Sequence, residues 1–591
     1  MTHIKHKSLG KLGYTVHISE FDKDFINEIK KDCTVITTVL PAFRDLQKPK
    51  KYLLYYISKD KSNLYLPRYY AIKKFGNPKY VSLSKGIPID VKCKCIHDPL
   101  PYQITATTKL DKLFDIKSQI GSGGVLSLPC GYGKTYCAIR TICKLGLSGL
   151  IIVPTECLLD QWIEAIKLFA PAARVGHIQC DRVSIKDKDF VVAMLHSVCL
   201  KDYNSAIFDQ FGIVVYDECH HIASKTFCKS MMKIRTKFTL GLSATPTRRD
   251  GLSPVFYNFI GPLFHTEKRS GSNRIIIKKI DLYSNSENYQ ILRMKNGTKN
   301  TAGMITAVSL LEERNQLIIY TLRELIQQGR KILLISGRKK QLHDLKDMLD
   351  TEGIKDPVTG KYITYGFYYG KKGMSRKNHK ILLAKSAKCN IVLGIDVLAK
   401  EGLDIPDRNT LVWGTPPGMD VIQPVGRILR KYHTDLNPVV VDFVDHTGNF
   451  VNHSRERNKW FKEEEYIIHQ HKVELLGNPE LWKLDTMSYL IRQPTKKQMT
   501  ENKVIDDKEK DEPKKEEVIE PDFDDCMLED EEGVKPKPKL KPKPKIITKP
   551  KKYKPKQSAL DTCLLNTTMP TMRNKPIKKP TSEPNFDICI L

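Results

Sequence analysis

No stretch of this chain approaches the roughly 20 consecutive apolar residues that span a bilayer. The opening residues, Met1-Thr2-His3-Ile4-Lys5-His6-Lys7, hold no apolar run of the kind a secretory leader needs. Both absences point to a soluble, intracellular chain. Cysteine is not scarce, with 15 in 591 residues, but it lacks the spacing of a disulfide framework. Several cysteines sit inside apolar segments, where reduced thiols act as small hydrophobes. Cys93-Lys94-Cys95 has no second pair at zinc spacing, which argues against a structural zinc site. Negative charge is the clearest deficit. Only 67 Asp and Glu stand against 97 Lys and Arg, a formal net charge of +30. That excess suits a polyanionic partner, or equally a lysine-rich host.

The length allows three or four domains, and 40% hydrophobic residues is ordinary for a globular chain with a large core. The chain is organised around Pro129-Cys130-Gly131-Tyr132-Gly133-Lys134-Thr135. Gly124 to Leu128 reads as a buried strand before it, and Tyr136 to Leu145 as a helix after it. Strand, glycine turn and Lys-Thr at a helix start form a phosphate cradle of backbone N–H groups favoured by the helix dipole. In that reading Lys134 reaches the β- and γ-phosphates of ATP and the Thr135 hydroxyl ligates Mg²⁺. The full pattern asks for glycine at position 128, where this chain has Leu128. Upstream, Gln103 precedes a helix, and its amide can both donate to and accept from an adenine edge.

Further apolar strands end on polar residues. Gly149 to Val153 ends at Pro154-Thr155, Gly212 to Tyr216 at Asp217-Glu218-Cys219-His220, and Phe238 to Leu242 at Ser243-Ala244-Thr245. Polar residues just past strand C-termini are where open parallel sheets bind ligands. Asp217 suits Mg²⁺ opposite Thr135, and Glu218 suits a general base on the attacking water. Glu156 to Ala170 reads as an amphipathic helix with Trp162 among its apolar residues. A second α/β unit starts near residue 270, with strands at Lys331–Ile335, Asn390–Gly394, Thr410–Trp413 and Pro438–Phe443. Within it, Gln423, Arg427 and Arg430 fall at i, i+4 and i+7, one face of a helix. Two guanidinium groups aimed together suit a transferring phosphoryl group, with Gln423 positioning water.

Composition marks the ends. Lysines and tyrosines alternate at Lys51–Tyr56 and Leu64–Tyr70, which predicts strands whose aromatics either stack on bases or form the core and rim of a small domain. From about residue 495 an acidic stretch, Glu501–Glu532, precedes a Lys-Pro run, Lys535–Lys556; both predict a disordered, extended tail that is either a partner-binding arm or a solubilising one.

These motifs, in this order, resemble a superfamily 2 helicase. The matching stretches are Tyr102-Gln103, Pro129–Thr135, Pro154-Thr155, Asp217–His220, Ser243–Thr245, Lys400-Glu401-Gly402-Leu403-Asp404-Ile405-Pro406 and Gln423–Arg430. Gly426-Arg427-Ile428-Leu429-Arg430 is similar to the XPB and phage UvsW branch, and Leu64–Tyr70 to the helicases of large cytoplasmic DNA viruses, the poxvirus transcript-release type among them. Arg249 and Ile395 depart from that branch, where a Glu and a Thr or Ser are usual. The resemblance implies an α/β fold of two tandem RecA-like parallel-sheet lobes, with a small N-terminal α+β domain and the tail. The expected boundaries are 1–95, 96–268 (ATP-binding lobe), 269–475 (C-terminal lobe), 476–495 (helical extension) and 496–591. It implies ATP bound by Gln103 and by Pro129, Cys130, Gly131, Tyr132, Gly133, Lys134 and Thr135, with Mg²⁺ on Thr135 and Asp217. Glu218, Lys134, Gln423, Arg427 and Arg430 are the expected catalytic set. Ser243, Ala244 and Thr245 are expected to couple hydrolysis to strand movement, and Pro154, Thr155 and Arg338 to touch nucleic acid. The expected function is an ATP-dependent helicase or translocase on DNA, in viral transcription or repair. An RNA helicase, and a transcription scaffold with a vestigial ATPase, are the competing readings. Expected partners are nucleic acid and the transcription machinery, for a monomer in host cytoplasm and virion if viral.

Overall fold

The computed structural model describes residues 5–10, 12–38, 49–95, 98–223, 229–269, 275–370, 374–396, 405, 407–430, 433, 436–475 and 490–491. The acidic and Lys-Pro tail lies outside them. So do Lys400 to Asp404 and Pro406. Of the expected helical extension 476–495, only Leu490–Ile491 is described, and it is a short strand paired with His469 and Gln470.

The N-terminal region is a five-stranded sheet, in the order Tyr56–Ile57, Asn63–Leu66, Gly13–His17, Lys7–Gly10, Tyr80–Val81, with helices Lys23–Asp32 and Arg68–Phe75. One expectation fails here. The run Leu64–Tyr70 is not all strand: the strand stops at Leu66, Pro67 caps the next element, and Arg68 opens a helix. Proline cannot donate to the ladder, while its fixed φ suits a helix start. The turn aims these side chains inward. Arg68 Nη1 donates to Lys237 O at 3.0 Å and Nη2 to Ile120 O, and the Tyr69 hydroxyl meets Thr239 Oγ1 at 3.0 Å. Arg68 is therefore a structural tie to the first lobe, leaving Tyr56 and Tyr65 as a stacked pair on the sheet. Leu9, Tyr14, Val16, Leu64 and Leu66 form one continuous apolar core with Val125, Tyr216, Phe256 and Ile260.

Each lobe is a largely parallel eight-stranded sheet among helices. The first runs Arg182–Ser184, Val175–Gln179, Phe190–Met194, Gly149–Val153, Ile213–Tyr216, Phe238–Ser243, Gly123–Ser127, Leu263–Thr266. The second runs Tyr365–Tyr368, Ile391–Ile395, Ile332–Ser336, Thr410–Trp413, Val439–Asp445, Ile276–Tyr283, Ile467–Glu474, Leu490–Ile491. The central strands are apolar runs buried on both faces, as parallel sheets require. In the second lobe two fully buried ion pairs cross the core, Arg314 with Asp445 (2.9 Å) and Arg457 with Asp442 (2.8 Å). The lobes also meet at the surface, where Lys380 Nζ lies 3.0 Å from Glu164 and 3.3 Å from Asp160.

Candidate active site

Strand Gly123–Ser127 feeds a turn that ends at helix Lys134–Leu145. Gly131 (φ +85°) and Gly133 (φ +82°) are both left-handed, a conformation open to glycine at little strain, and Gly133 caps the helix. The turn therefore presents backbone N–H groups as an anion nest at the helix N-terminus. Leu128, the departure from the usual pattern, is a buried core residue beneath the turn, and its carbonyl accepts from Lys134 Nζ at 3.0 Å. Gln103 braces the turn from below. Its Nε2 donates to Tyr132 O at 3.4 Å, and a Cβ on Gly133 would lie 2.6 Å from that nitrogen. Its Oε1 accepts from Leu100 N at 3.0 Å, so both ends of the amide are engaged within the protein. Tyr102 stacks on Tyr132 with 4.2 Å between ring centroids.

Asp217 and Glu218 follow the buried strand Ile213–Tyr216. Asp217 accepts from Trp162 Nε1 at 2.8 Å and from Glu218 N at 3.0 Å. Burial, and then the neighbouring Glu218 carboxylate, raise its carboxyl to about 6. A carboxylate in that position gains from a cation, which fits a divalent ion. Glu218 has a left-handed backbone, φ +46°, a strained conformation for this residue. Its Oε2 is buried, makes no hydrogen bond among the described residues, and lies 3.5 Å from His220 Nδ1. An unsatisfied buried carboxylate oxygen, next in sequence to the carboxylate suited to a cation, is suited to a polarised water. Burial holds the His220 imidazole down near 4, so it is neutral at ordinary pH. Its Nδ1 meets Ser243 Oγ at 3.0 Å, and the same oxygen accepts from Thr245 N at 3.0 Å. Arg248 Nη1 donates to His220 O at 2.5 Å. A hydrogen-bonded chain thus joins Asp217–His220 to Ser243–Thr245.

The second lobe closes on this turn. Helix Ile422–Arg427 carries Gln423 and Arg427, both largely buried. Arg430 is not on that helix, contrary to the single face predicted for all three residues. The helix ends at Arg427, and i→i−3 bonds from Ile428 N (3.2 Å) and Leu429 N (3.4 Å) tighten the chain into a turn. That turn carries Arg430 to the phosphate loop: a Cβ on Gly131 would lie 3.4 Å from Arg430 Cα, and one on Gly426 2.9 Å from Cys130 Cβ. A cavity of about 190 Å³ adjoins the contact, lined by Pro129, Cys130, Ala244, Arg269, Gly426 and Tyr466 among others.

The expected nucleic-acid contacts diverge. Pro154 is buried at the end of strand Gly149–Val153, and Thr155 caps helix Glu156–Phe169 by accepting from Leu158 N at 3.4 Å. Arg338 is engaged inside the second lobe, donating to Thr306 Oγ1 (2.8 Å), Ala302 O (2.7 Å) and Gly337 O (3.0 Å). Its guanidinium anchors helix Thr301–Ser309. Two site residues had no motif to announce them: Trp162, read only as part of an apolar face, and Arg269, which bonds to both lobes.

Residues 96–248 match the family model described as the res subunit of type III restriction enzymes. A putative ATP-dependent RNA helicase of Acanthamoeba polyphaga mimivirus is 34% identical over 80% of this chain and 88% of its own length. A putative helicase of invertebrate iridescent virus 6 is 26% identical over 59% of this chain and 78% of its own. Among solved structures, the crystal structure of T4 UvsW aligns at 18% identity over 77% of this chain and 97% of its own, with a TM-score of 0.29.

Proposed function

The chain belongs to the superfamily 2 helicases, enzymes that hydrolyse ATP, and we propose that it is a translocase that ratchets along a single strand of DNA in viral transcript release or DNA repair. One contact carries the reading: Gly426 against Cys130 and Arg430 against Gly131, the second lobe seated on the phosphate loop of the first. That contact supports a two-lobed ATPase site rather than a vestigial one. Lys134 steadies the β- and γ-phosphates, and Thr135 and Asp217 are the residues suited to hold Mg²⁺. When bound, that ion supplies neutralisation of the charge developing on the phosphate oxygens. Glu218 Oε2 takes the proton of the attacking water, and Arg427 and Arg430 stabilise the transferring group. The chain from His220 through Ser243 to Thr245 carries the state of Glu218 toward the strand-binding ends of the sheets. There the turns at Pro154-Thr155 and Ser336-Gly337-Arg338 meet the strand through its phosphates, which carries no sequence preference.

The XPB-like sequence at 426–430 supports DNA. The mimivirus and African swine fever virus relatives are named as putative RNA helicases, which favours RNA as the second reading. Steady-state ATPase without nucleic acid, with single-stranded DNA, with duplex DNA and with RNA, all at one salt concentration, separates them, because phosphate contacts weaken steeply with salt. Stimulation by DNA well above RNA upholds the proposal. Stimulation by RNA alone moves the substrate to RNA, and no hydrolysis in a folded sample revives the scaffold reading.

A further inference from the structure

Arg269 belongs to no motif, yet it holds the two lobes together at the phosphate loop. It follows strand Leu263–Thr266, the edge strand paired in parallel with Gly123–Ser127, the strand that feeds the loop. Glu267 N donates to Ser127 O at 3.0 Å, so the backbone next to Arg269 is fixed to the base of the loop. From there Nη2 donates to Cys130 O at 2.8 Å, in the loop, and Nη1 donates to Leu429 O at 2.9 Å, in the turn that carries Arg430. The guanidinium carbon lies 5.1 Å from the centre of the Tyr132 ring, which is itself stacked on Tyr102. One planar group thus bonds to a carbonyl of each lobe while lying against an aromatic of the loop, a geometry that guanidinium serves and ammonium does not.

We infer that Arg269 is the positioning residue that sets the arginine-bearing turn of the second lobe on the phosphate loop of the first. It touches no reacting atom; it acts through Leu429 and Cys130, the immediate neighbours of Arg430 and Gly131. The close approach of Gly426 to Cys130 gives the lobes their contact, and the Arg269 fork fixes its register. The inference rests on the ATPase reading above.

The test is ATPase of the full chain with saturating stimulating nucleic acid, in Arg269→Ala, Arg269→Lys, Arg430→Ala and the double variant Arg269→Ala/Arg430→Ala. A turn misplaced by about 1 Å should lower kcat roughly 10- to 100-fold in Arg269→Ala, with KM for ATP shifted less than about threefold. Arg269→Lys keeps the stem and the charge, guards against simple misfolding, and should stay at least about fivefold below wild type, because it lacks the fork. In the Arg430→Ala background the loss of Arg269 should add no more than about twofold, since both act at one step. Wild-type kcat in Arg269→Ala or in Arg269→Lys, or full multiplicative loss in the double variant, overturns the inference and leaves the ATPase reading standing. Wild-type hydrolysis no faster than that of Lys134→Ala overturns both.

Discussion

The indole of Trp162 donates to Asp217 Oδ2 at 2.8 Å, a buried bond between residues 55 apart in sequence. It aims the carboxylate best suited to Mg²⁺ from the helix of a neighbouring strand unit. Trp162→Phe keeps an aromatic body and removes the donor. Losing one hydrogen bond to a charged group, worth about 1.5–3 kcal/mol, should raise the Mg²⁺ requirement of the ATPase roughly 10- to 100-fold. A Mg²⁺ titration at saturating ATP checks it; an unchanged midpoint means that the indole does not orient Asp217.

Gly426→Ala tests the contact between the lobes directly. The added methyl would sit 2.9 Å from Cys130 Cβ, closer than carbon atoms pack, so the lobes must part or shift. Turnover should fall by about tenfold or more. Cys130→Gly in the same chain removes the opposing atoms and should recover part of the loss. Activity equal to wild type in the single variant shows that the site works without this contact.

Glu218→Gln keeps the shape of the side chain and removes its basicity. Turnover should fall roughly 10²- to 10⁴-fold while ATP affinity, followed by a fluorescent analogue, changes only a few-fold. Parallel loss of affinity and rate would reassign Glu218 to binding.

Arg314 and Asp445 are both inaccessible to solvent, and Arg314 also donates to Gly414 O. Arg314→Leu leaves a buried carboxylate without its partner, and should destabilise the second lobe by about 3–5 kcal/mol. The midpoint of chemical denaturation measures this. A loss under about 1 kcal/mol would mean that water or another cation reaches Asp445.

His471 is buried in strand Ile467–Glu474, and its imidazole is pulled down to about 4, chiefly by burial, with Lys278 and His469 adding to it and Glu324 opposing. The unfolded chain, with a His near 6.5, takes up the proton first. Stability contributed by the neutral ring is therefore present above about 6.5 and is lost as the pH falls toward 4. Between pH 7 and pH 5 that loss is about 1–2 kcal/mol, and His471→Gln should remove it from the pH dependence of the denaturation midpoint. An identical dependence in both proteins would place the titration elsewhere.

The catalytic motifs were legible because each is local. A strand that is apolar throughout, a glycine turn, and a Lys-Thr or Asp-Glu pair at its end are set by backbone sterics within about ten residues. The same locality explains where the sequence misled. Helical spacing put Arg430 on the face of Gln423 and Arg427, but the last turn tightens and carries it off the helix. Alternation extended a strand to Tyr70, but Pro67 had already ended it.

By itself, then, the sequence determined the order of the strands' functional ends, the phosphate loop and the family. Tertiary structure alone decided that Trp162 bonds to Asp217, that Gln103 bonds to the loop at Tyr132, that Arg338 bonds to helix Thr301–Ser309, and that Arg269 bonds to both Cys130 and Leu429. Each of these depends on a contact between segments distant in the chain. Hydrophobic periodicity reports which side of a helix or strand is buried; it does not report which polar atom of a buried residue finds which partner, because packing across the sheets settles that only when the lobes are formed.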